Sequence, residues 1–406
     1  MLKPAHKPIH RLALILTVLT FFAAPTGASP VIITGKELPH LLGKPIASIR
    51  VLDLSGKVIP FQIDEVTDDG EYILDMGEQP NAGMSTGLLD ERDEIVFLWE
   101  DANRVPGPGT APNGLVRLTR GKESRAALIR LDPSLPLSDK RYMEYDHRTQ
   151  RVVTPYYYAD FAKDRFHFVR AGVMDFGAGK YLDLTNELRV EILLRTLFGL
   201  VPIRYTEENI VCLVRRYKAG PIRLIRRGDF HLNLGLGVKG SRAAVNQVCY
   251  PQAVKVPVYV NLPIRFRTLF GQAHIEMTPV IREAGRSFTF AAPARDIAVP
   301  IDGPAIDTLY AAIPAGRMFS LTNGAAGYGW LLRTTMGEEH LSGSGFLMRR
   351  PSSGRGGIAE CGFRLTVRDV PKGSYYITNW VLFSGGKDGD IARLGQTVIL
   401  PVRVKL

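Results

Sequence analysis

The sequence predicts an all-β protein: a small N-terminal β-domain followed by a larger antiparallel β-sandwich. Two observations carry that reading. Val254, Val256, Val258, Val260, Leu262, Ile264 and Phe266 are apolar, while Lys255, Pro257, Tyr259, Asn261, Pro263, Arg265 and Arg267 lie between them. Such a period of two marks a strand with one buried and one exposed face. Glycine and proline together number 40 + 27 = 67 of 406 residues, which suits many short strands joined by turns.

Taken in order, residues 1–28 read as a secretory signal. Lys3, Lys7 and Arg11 precede an apolar core, Leu12 to Phe22, and the small residues Thr26-Gly27-Ala28 follow it. Cleavage after Ala28 leaves 406 − 28 = 378 residues and lowers the net charge from +11 to 11 − 3 = +8. Export to the periplasm or the cell exterior is the expectation. No later apolar run reaches the roughly 18 residues of a membrane span.

The mature chain is long for one core, and a boundary is placed near residue 150. Residues 29–150 form the small domain and 151–406 the sandwich. In the first part, Val31 to Leu41 precedes a predicted hairpin. Its strands are Ile46 to Leu54 and Val58 to Val66, and its turn is Ser55-Gly56-Lys57. Ile59, Phe61 and Ile63 share one face, Pro60, Gln62 and Asp64 the other, and Pro60 points to an edge strand. Ile95 to Trp99 reads as a short buried strand, and Leu115 to Leu118 with Ala126 to Leu131 as a strand pair. In the second part, Leu188 to Leu194 and Leu232 to Val238 alternate, and Val398 to Leu406 closes the chain as another strand. An outer-membrane barrel also alternates, but regular segments of about ten residues and repeated aromatic girdles are missing.

Charge is segregated. Asp64 to Asp101 holds thirteen acidic residues and one basic one, Arg92, a net 1 − 13 = −12 in 38 residues. Within it Asp90, Asp93 and Glu94 follow Gly87-Leu88-Leu89 in a frame like the second half of an EF-hand loop, which makes calcium the candidate cofactor. The earlier ligand positions are Ala82, Met84 and Thr86, and two of these lack a side-chain oxygen. The alternative is a solvated acidic surface. Arg204 to Lys255 holds ten basic and three acidic residues, a net 10 − 3 = +7. There Val211 to Arg216 and Gly220 to Arg227 read as adjacent strands. Arg223, Arg226 and Arg227, with His231 beside Asp229, form a candidate anion-binding face, since guanidinium forks match carboxylate and phosphate. The same arginines could instead pair with acidic loops, including Asp64 to Asp101.

Three cysteines remain, with no CxxC among them. In an oxidising compartment a Cys212–Cys249 disulfide is predicted, leaving Cys361 free. Gly83-Met84-Ser85-Thr86-Gly87 matches GxSxG, and Gly235 to Gly240 matches GxGxxG. Neither has the strand–turn–helix context its chemistry needs.

Pro60-Phe61-Gln62-Ile63-Asp64-Glu65, followed by Asp90-Glu91-Arg92-Asp93-Glu94-Ile95-Val96-Phe97, resembles a pattern in an uncharacterised group of bacterial secreted β-proteins. In those proteins the intervening segment often resembles a DxNxDG loop, which is lost here. Gly220-Pro221-Ile222-Arg223 is similar to strands in the large sandwich domains of polysaccharide lyases and sugar epimerases. The expected function is therefore an exported cell-envelope binding or structural protein. Its expected partner is an anionic glycan or another envelope component, not nucleic acid. The alternative is a lyase or epimerase acting on an acidic sugar; the second similarity carries no catalytic residue over, and a cleft lined by Arg226, His231 and Tyr217 would favour that alternative.

Overall fold

A computed structural model describes residues 29–105, 114–162, 167–196, 201–207, 210–233, 239–262, 264–292, 297–303, 311–312, 317–351, 356–385, 391–399 and 402–405. Four antiparallel sheets hold the strands, so the chain is all-β. In the first, three-stranded sheet, Glu94–Leu98 is central, with Pro30–Thr34 on one side and Phe61–Asp64 on the other. Successive side chains of a strand point to opposite faces, and here each face meets a different partner. Val31, Ile33, Phe61, Ile63, Ile95 and Phe97 pack on a second sheet through Ile49, Val51, Val116, Leu118, Ala127 and Ile129. On the opposite face Val96 and Leu98 enter the core of the large sandwich. The small sheet is thus a middle layer shared by two cores.

The large sandwich consists of two ten-stranded sheets. One, the front sheet, runs through Gly345–Arg349, Ala359–Val367, Phe270–Ile281, Lys180–Thr196, Phe168–Asp175, Tyr157–Phe161, Arg151–Val153 and Glu144–Asp146. The back sheet runs through Thr289–Ala292, Arg317–Thr322, Ala326–Thr334, Gly373–Gly385, Ala253–Leu262, Lys239–Tyr250, Leu224–Asn233 and Ile210–Ala219, and ends on Met76–Gly77. Aromatic rings span the gap. Tyr157 of the front sheet stacks on Phe383 of the back sheet at 4.0 Å, and Phe363 meets Trp330 edge-on at 5.5 Å. Such pairs add specific geometry to plain burial.

Several expectations need correction. The Ile46–Val66 hairpin closes only at its tip, where Ile59 N–H donates to Val51 O at 3.0 Å and Gly56 adopts φ +87°. Proline cannot donate to a ladder, and from Pro60 the return strand leaves its partner and joins Glu94–Leu98. Met143 and Glu144–Asp146 pack with the large sandwich, next to the boundary placed near residue 150. The alternating run from Val254 is a strand only to Leu262, and Phe266–Leu269 is one helical turn. Leu232 and Asn233 end a strand, while 234–238, with most of the GxGxxG match, lie outside the described residues.

The chain end differs most. Ile391–Ile399 is a helix, with Ile391 and Leu394 buried and Val398 packed against the same core. Only Arg403–Lys405 is a strand, and it pairs with Leu115–Arg120 of the N-terminal unit. Val402 and Val404 pack on that unit's core. No described helix is long and apolar enough to cross a membrane.

The returning strand predicts that Val404→Asp destabilises the N-terminal unit by about 1–2 kcal/mol, from lost apolar burial and a poorly solvated charge. Urea denaturation measures this, and an unchanged midpoint would show that the strand contributes nothing.

Candidate functional site

The basic and acidic segments meet, and they meet inside the protein. Arg223 stands in the loop between back-sheet strands Ile210–Ala219 and Leu224–Asn233. It is wholly buried, as is Asp64. Arg223 Nε donates to Asp64 Oδ2 at 2.7 Å, one Nη to Glu94 Oε2 at 2.5 Å and the other to Tyr250 Oη at 3.3 Å. Lys218 Nζ sits 3.1 Å from Asp64 Oδ1 and donates to Ile63 O at 2.8 Å. Asp64 and Glu94 are opposed in the ladder. Like charges so placed repel, and the guanidinium between them removes the repulsion.

Neighbours complete the cluster. Gln62 Nε2 donates to both Asp64 oxygens at 2.8 and 3.0 Å, while its Oε1 accepts from Arg223 N–H at 3.1 Å. Tyr72 donates to Glu94 Oε2 at 2.9 Å. Gly220 lets Gln62 in, since a Cβ there would lie 1.9 Å from Gln62 Oε1. Burial by itself would raise the Asp64 carboxyl, but Arg223, Lys218 and Gln62 outweigh it and hold it below the usual range. Burial would likewise lower the Arg223 guanidinium, and Asp64, Tyr250 and Glu94 drive it well upward instead.

The proposed anion face is therefore not a face. Arg226 is wholly buried between the sheets. It donates to Gln247 at 2.7 Å and Gln150 at 3.2 Å, and its guanidinium lies 3.9 Å from the Phe161 ring centre. Arg227 points the other way, as alternation requires, and pairs with Glu71. Arg216, opposed to Arg227 in the ladder, lies 3.4 Å from the same carboxylate. The backbone of His231 lies opposite Val211 and Arg242, and its side chain is outside the described residues. Tyr217 is half-buried, edge-on to Tyr145 at 5.1 Å. Arg226 presents no exposed surface, because it is wholly buried. Gly220–Arg223, read as part of a strand, is a loop because Arg223 turns in to meet Asp64.

The calcium trio does not converge either. Asp93 is buried, and its two oxygens accept from Val66 N–H at 2.9 Å and Asp90 N–H at 2.8 Å. Asp90 Oδ1 accepts from Arg92 N–H at 2.7 Å and Asp93 N–H at 3.1 Å. Glu94 faces Arg223. These carboxylates hold a turn and an ion cluster, and no group of three potential ligands gathers among the described residues. Ser85 of the GxSxG match donates to Glu65 at 2.6 Å in an exposed loop.

The predicted disulfide is ruled out by register. Cys212 opposes Phe230, and Cys249 opposes Leu224 from the other side of the same strand. Leu224 and Phe230 are six residues apart, roughly 20 Å along a strand, against a limit of about 7 Å between bridged Cα atoms. All three cysteines are free and buried.

Two tyrosines are among the exposed large hydrophobic residues. On one face of the ladder between Ala253–Leu262 and Gly373–Gly385 stand the pairs Lys255/Trp380, Pro257/Thr378, Tyr259/Tyr376 and Asn261/Ser374. Tyr259 and Tyr376 are 50% and 56% exposed, with ring centres 5.1 Å apart. Tyr259 Oη donates to Ser374 Oγ at 2.6 Å. Exposed Arg333 lies across the next ladder, opposite Thr378. The alternation already set Tyr259 on the solvent side; its partner Tyr376, 117 residues later (376 − 259), had no local signal.

Two predictions follow from the ion cluster and the turn. Arg223→Leu leaves Glu94 without its cation and Asp64 with Lys218 alone, and costs about 3–5 kcal/mol, read by denaturant unfolding; a loss below about 1 kcal/mol would remove the cluster as the organising contact. Burial, ahead of the nearby Asp90 and Glu65 carboxylates, pushes Asp93 up to about 6. A raised carboxyl binds its proton more tightly in the folded state, so this group adds stability as pH falls from about 7 to 4. Asp93→Asn flattens that part of the melting-temperature profile, by an amount on the order of 1 kcal/mol; an identical pH slope in the variant would contradict it.

No protein-family model and no curated protein matches the chain. Among solved structures, an α-mannosidase from Enterococcus faecalis V583 aligns at 8% identity and a TM-score of 0.46, over 94% of this chain and 44% of its own. A glycosyl hydrolase family 38 protein from Enterococcus faecalis aligns at 8% identity and a TM-score of 0.47, over 94% of this chain and 46% of its own. The chain spans less than half the length of either, and the likeness is too distant to bear on what it does.

Proposed function

We propose that this chain is an exported cell-envelope binding module, and that the Tyr259–Tyr376 pair is its contact surface for a glycan. One observation carries the reading. Two large aromatic rings stand side by side and half exposed on a sheet whose other aromatics are largely buried. Tyrosine presents rigid amphipathic area at little entropic cost, and the C–H face of a sugar ring suits an aromatic face. Asn261 and Ser374 supply polar groups on one side, and Arg333 supplies a positive charge on the other. That charge favours an anionic sugar over a neutral one. The signal features of residues 1–28 support the exported location. The large basic excess of the mature chain, +8, suits an acidic partner.

The test is calorimetric titration of uronate and neutral oligosaccharides. Tyr259→Ala with Tyr376→Ala lowers affinity for both by tenfold or more, because ring contacts serve every sugar. Arg333→Gln lowers affinity for the uronate alone, and added salt does the same. Binding that survives the double tyrosine variant would sink the proposal.

A further inference from the structure

A carboxylate of the N-terminal unit holds residue 29 by its backbone nitrogen. Ser29 is buried, and its backbone nitrogen donates to Glu100 Oε2 at 2.9 Å. Its carbonyl accepts from Trp99 N–H at 2.8 Å. The next carbonyl, Pro30 O, accepts from Arg120 at 3.1 Å, and the Arg120 guanidinium lies 4.6 Å from the Trp99 ring centre. Three consecutive backbone groups at the head of the first strand are thus fixed by Trp99, Glu100 and Arg120. A surface strand needs its ladder partners, and Pro30–Thr34 has them in Glu94–Leu98. The carboxylate aimed at the nitrogen of Ser29 is an addition to the ladder.

We infer that Ser29 is the first residue of the mature protein, and that its α-ammonium forms an ion pair with Glu100 that locks the first strand into the N-terminal unit. This rests on the export reading, since it needs cleavage between Ala28 and Ser29. Hydrolysis of that peptide bond consumes one water and leaves the Ala28 carboxylate and the Ser29 ammonium. The chemistry then suits the site. An amide offers Glu100 a single N–H, whereas an ammonium offers three donors and a full charge, and charge-assisted hydrogen bonds are the stronger kind. Besides the Ser29 and Glu100 amides, the charged and titratable groups acting on Glu100 are Arg120 and Arg125 from neighbouring strands, and the Tyr142 and Tyr156 hydroxyls. Even with both arginines, burial pushes the carboxyl up to about 7. A positive charge 2.9 Å away supplies the compensation the arginines do not.

The experiment uses the full chain, expressed in a Gram-negative exporting host. Intact mass reads the processed start. A second full chain carries one glycine inserted between Ala28 and Ser29, which moves the amine by about 3.8 Å. Each is made with and without Glu100→Gln. The expected result is a mass beginning at Ser29. The inserted glycine should lower the melting temperature by roughly 2–5 °C at pH 6–7. That difference should disappear in the Glu100→Gln background. The α-amine should titrate above its ordinary 7.7–8.0, read from the pH profile of its acylation. A raised amine contributes stability that is full below its unfolded value and lost as pH rises through its folded value, so the glycine effect should fade above about pH 9. A mass that retains residues 1–28 overturns both this inference and the export reading. Cleavage at Ser29 with an amine titrating at 7.7–8.0, or a glycine effect that persists in Glu100→Gln, overturns the ion pair and leaves the export reading standing.

Discussion

The structure depends on placing one guanidinium, that of Arg223, between two carboxylates from another part of the chain. Asp64 and Glu94 are cross-strand neighbours on the middle sheet, and Arg223 reaches them from the tip of a back-sheet hairpin. A buried ion pair is a weak source of net stability, because desolvation consumes much of the attraction. Its effect is on placement. Any shift of the small unit against the sandwich would strand charges without water, so one docking geometry is selected. Gly220, Gln62, Tyr72 and Lys218 all act on that same point.

The same constraint explains the uneven charge along the chain. The −12 segment and the +7 segment are distant in sequence and adjacent in space. Glu71 answers Arg216 and Arg227, and Asp64 answers Arg223 and Lys218. A surface built for a ligand would leave such charges in water. Here Asp64, Glu71 and Glu94 answer Arg216, Lys218, Arg223 and Arg227.

Legibility in the sequence followed the range of the interaction. The strands around Leu188 and Val256 were readable because alternation is local, and the one at Ile95 because its short apolar run is local too. So was the two-faced character of Phe61 to Asp64. The burial of Arg223 and Arg226 was not, because a strand of arginines looks the same whether its partner is water or a carboxylate 129 residues away (223 − 94). The acidic turn looked like a metal loop because carboxylates that accept backbone amides and carboxylates that bind cations share a composition. The final helix hid because Val398, Leu400, Val402 and Val404 carry a period of two across its end, although Ile391, Leu394 and Val398 also carry a helical spacing. The cysteine pair failed because proximity in strand order says nothing of position along the strands.

The return of residues 403–405 to the strand Leu115–Arg120 gives the chain a closed circuit. Among the described residues, the N-terminal unit contains both the first strand and the last, and the sandwich lies between them in the chain. A ribosome therefore releases the last strand of the first unit only after the whole sandwich has been made. A cut between the two units would free neither of them: one piece would lack its edge strand, and the other would carry that strand with nothing to pair it to.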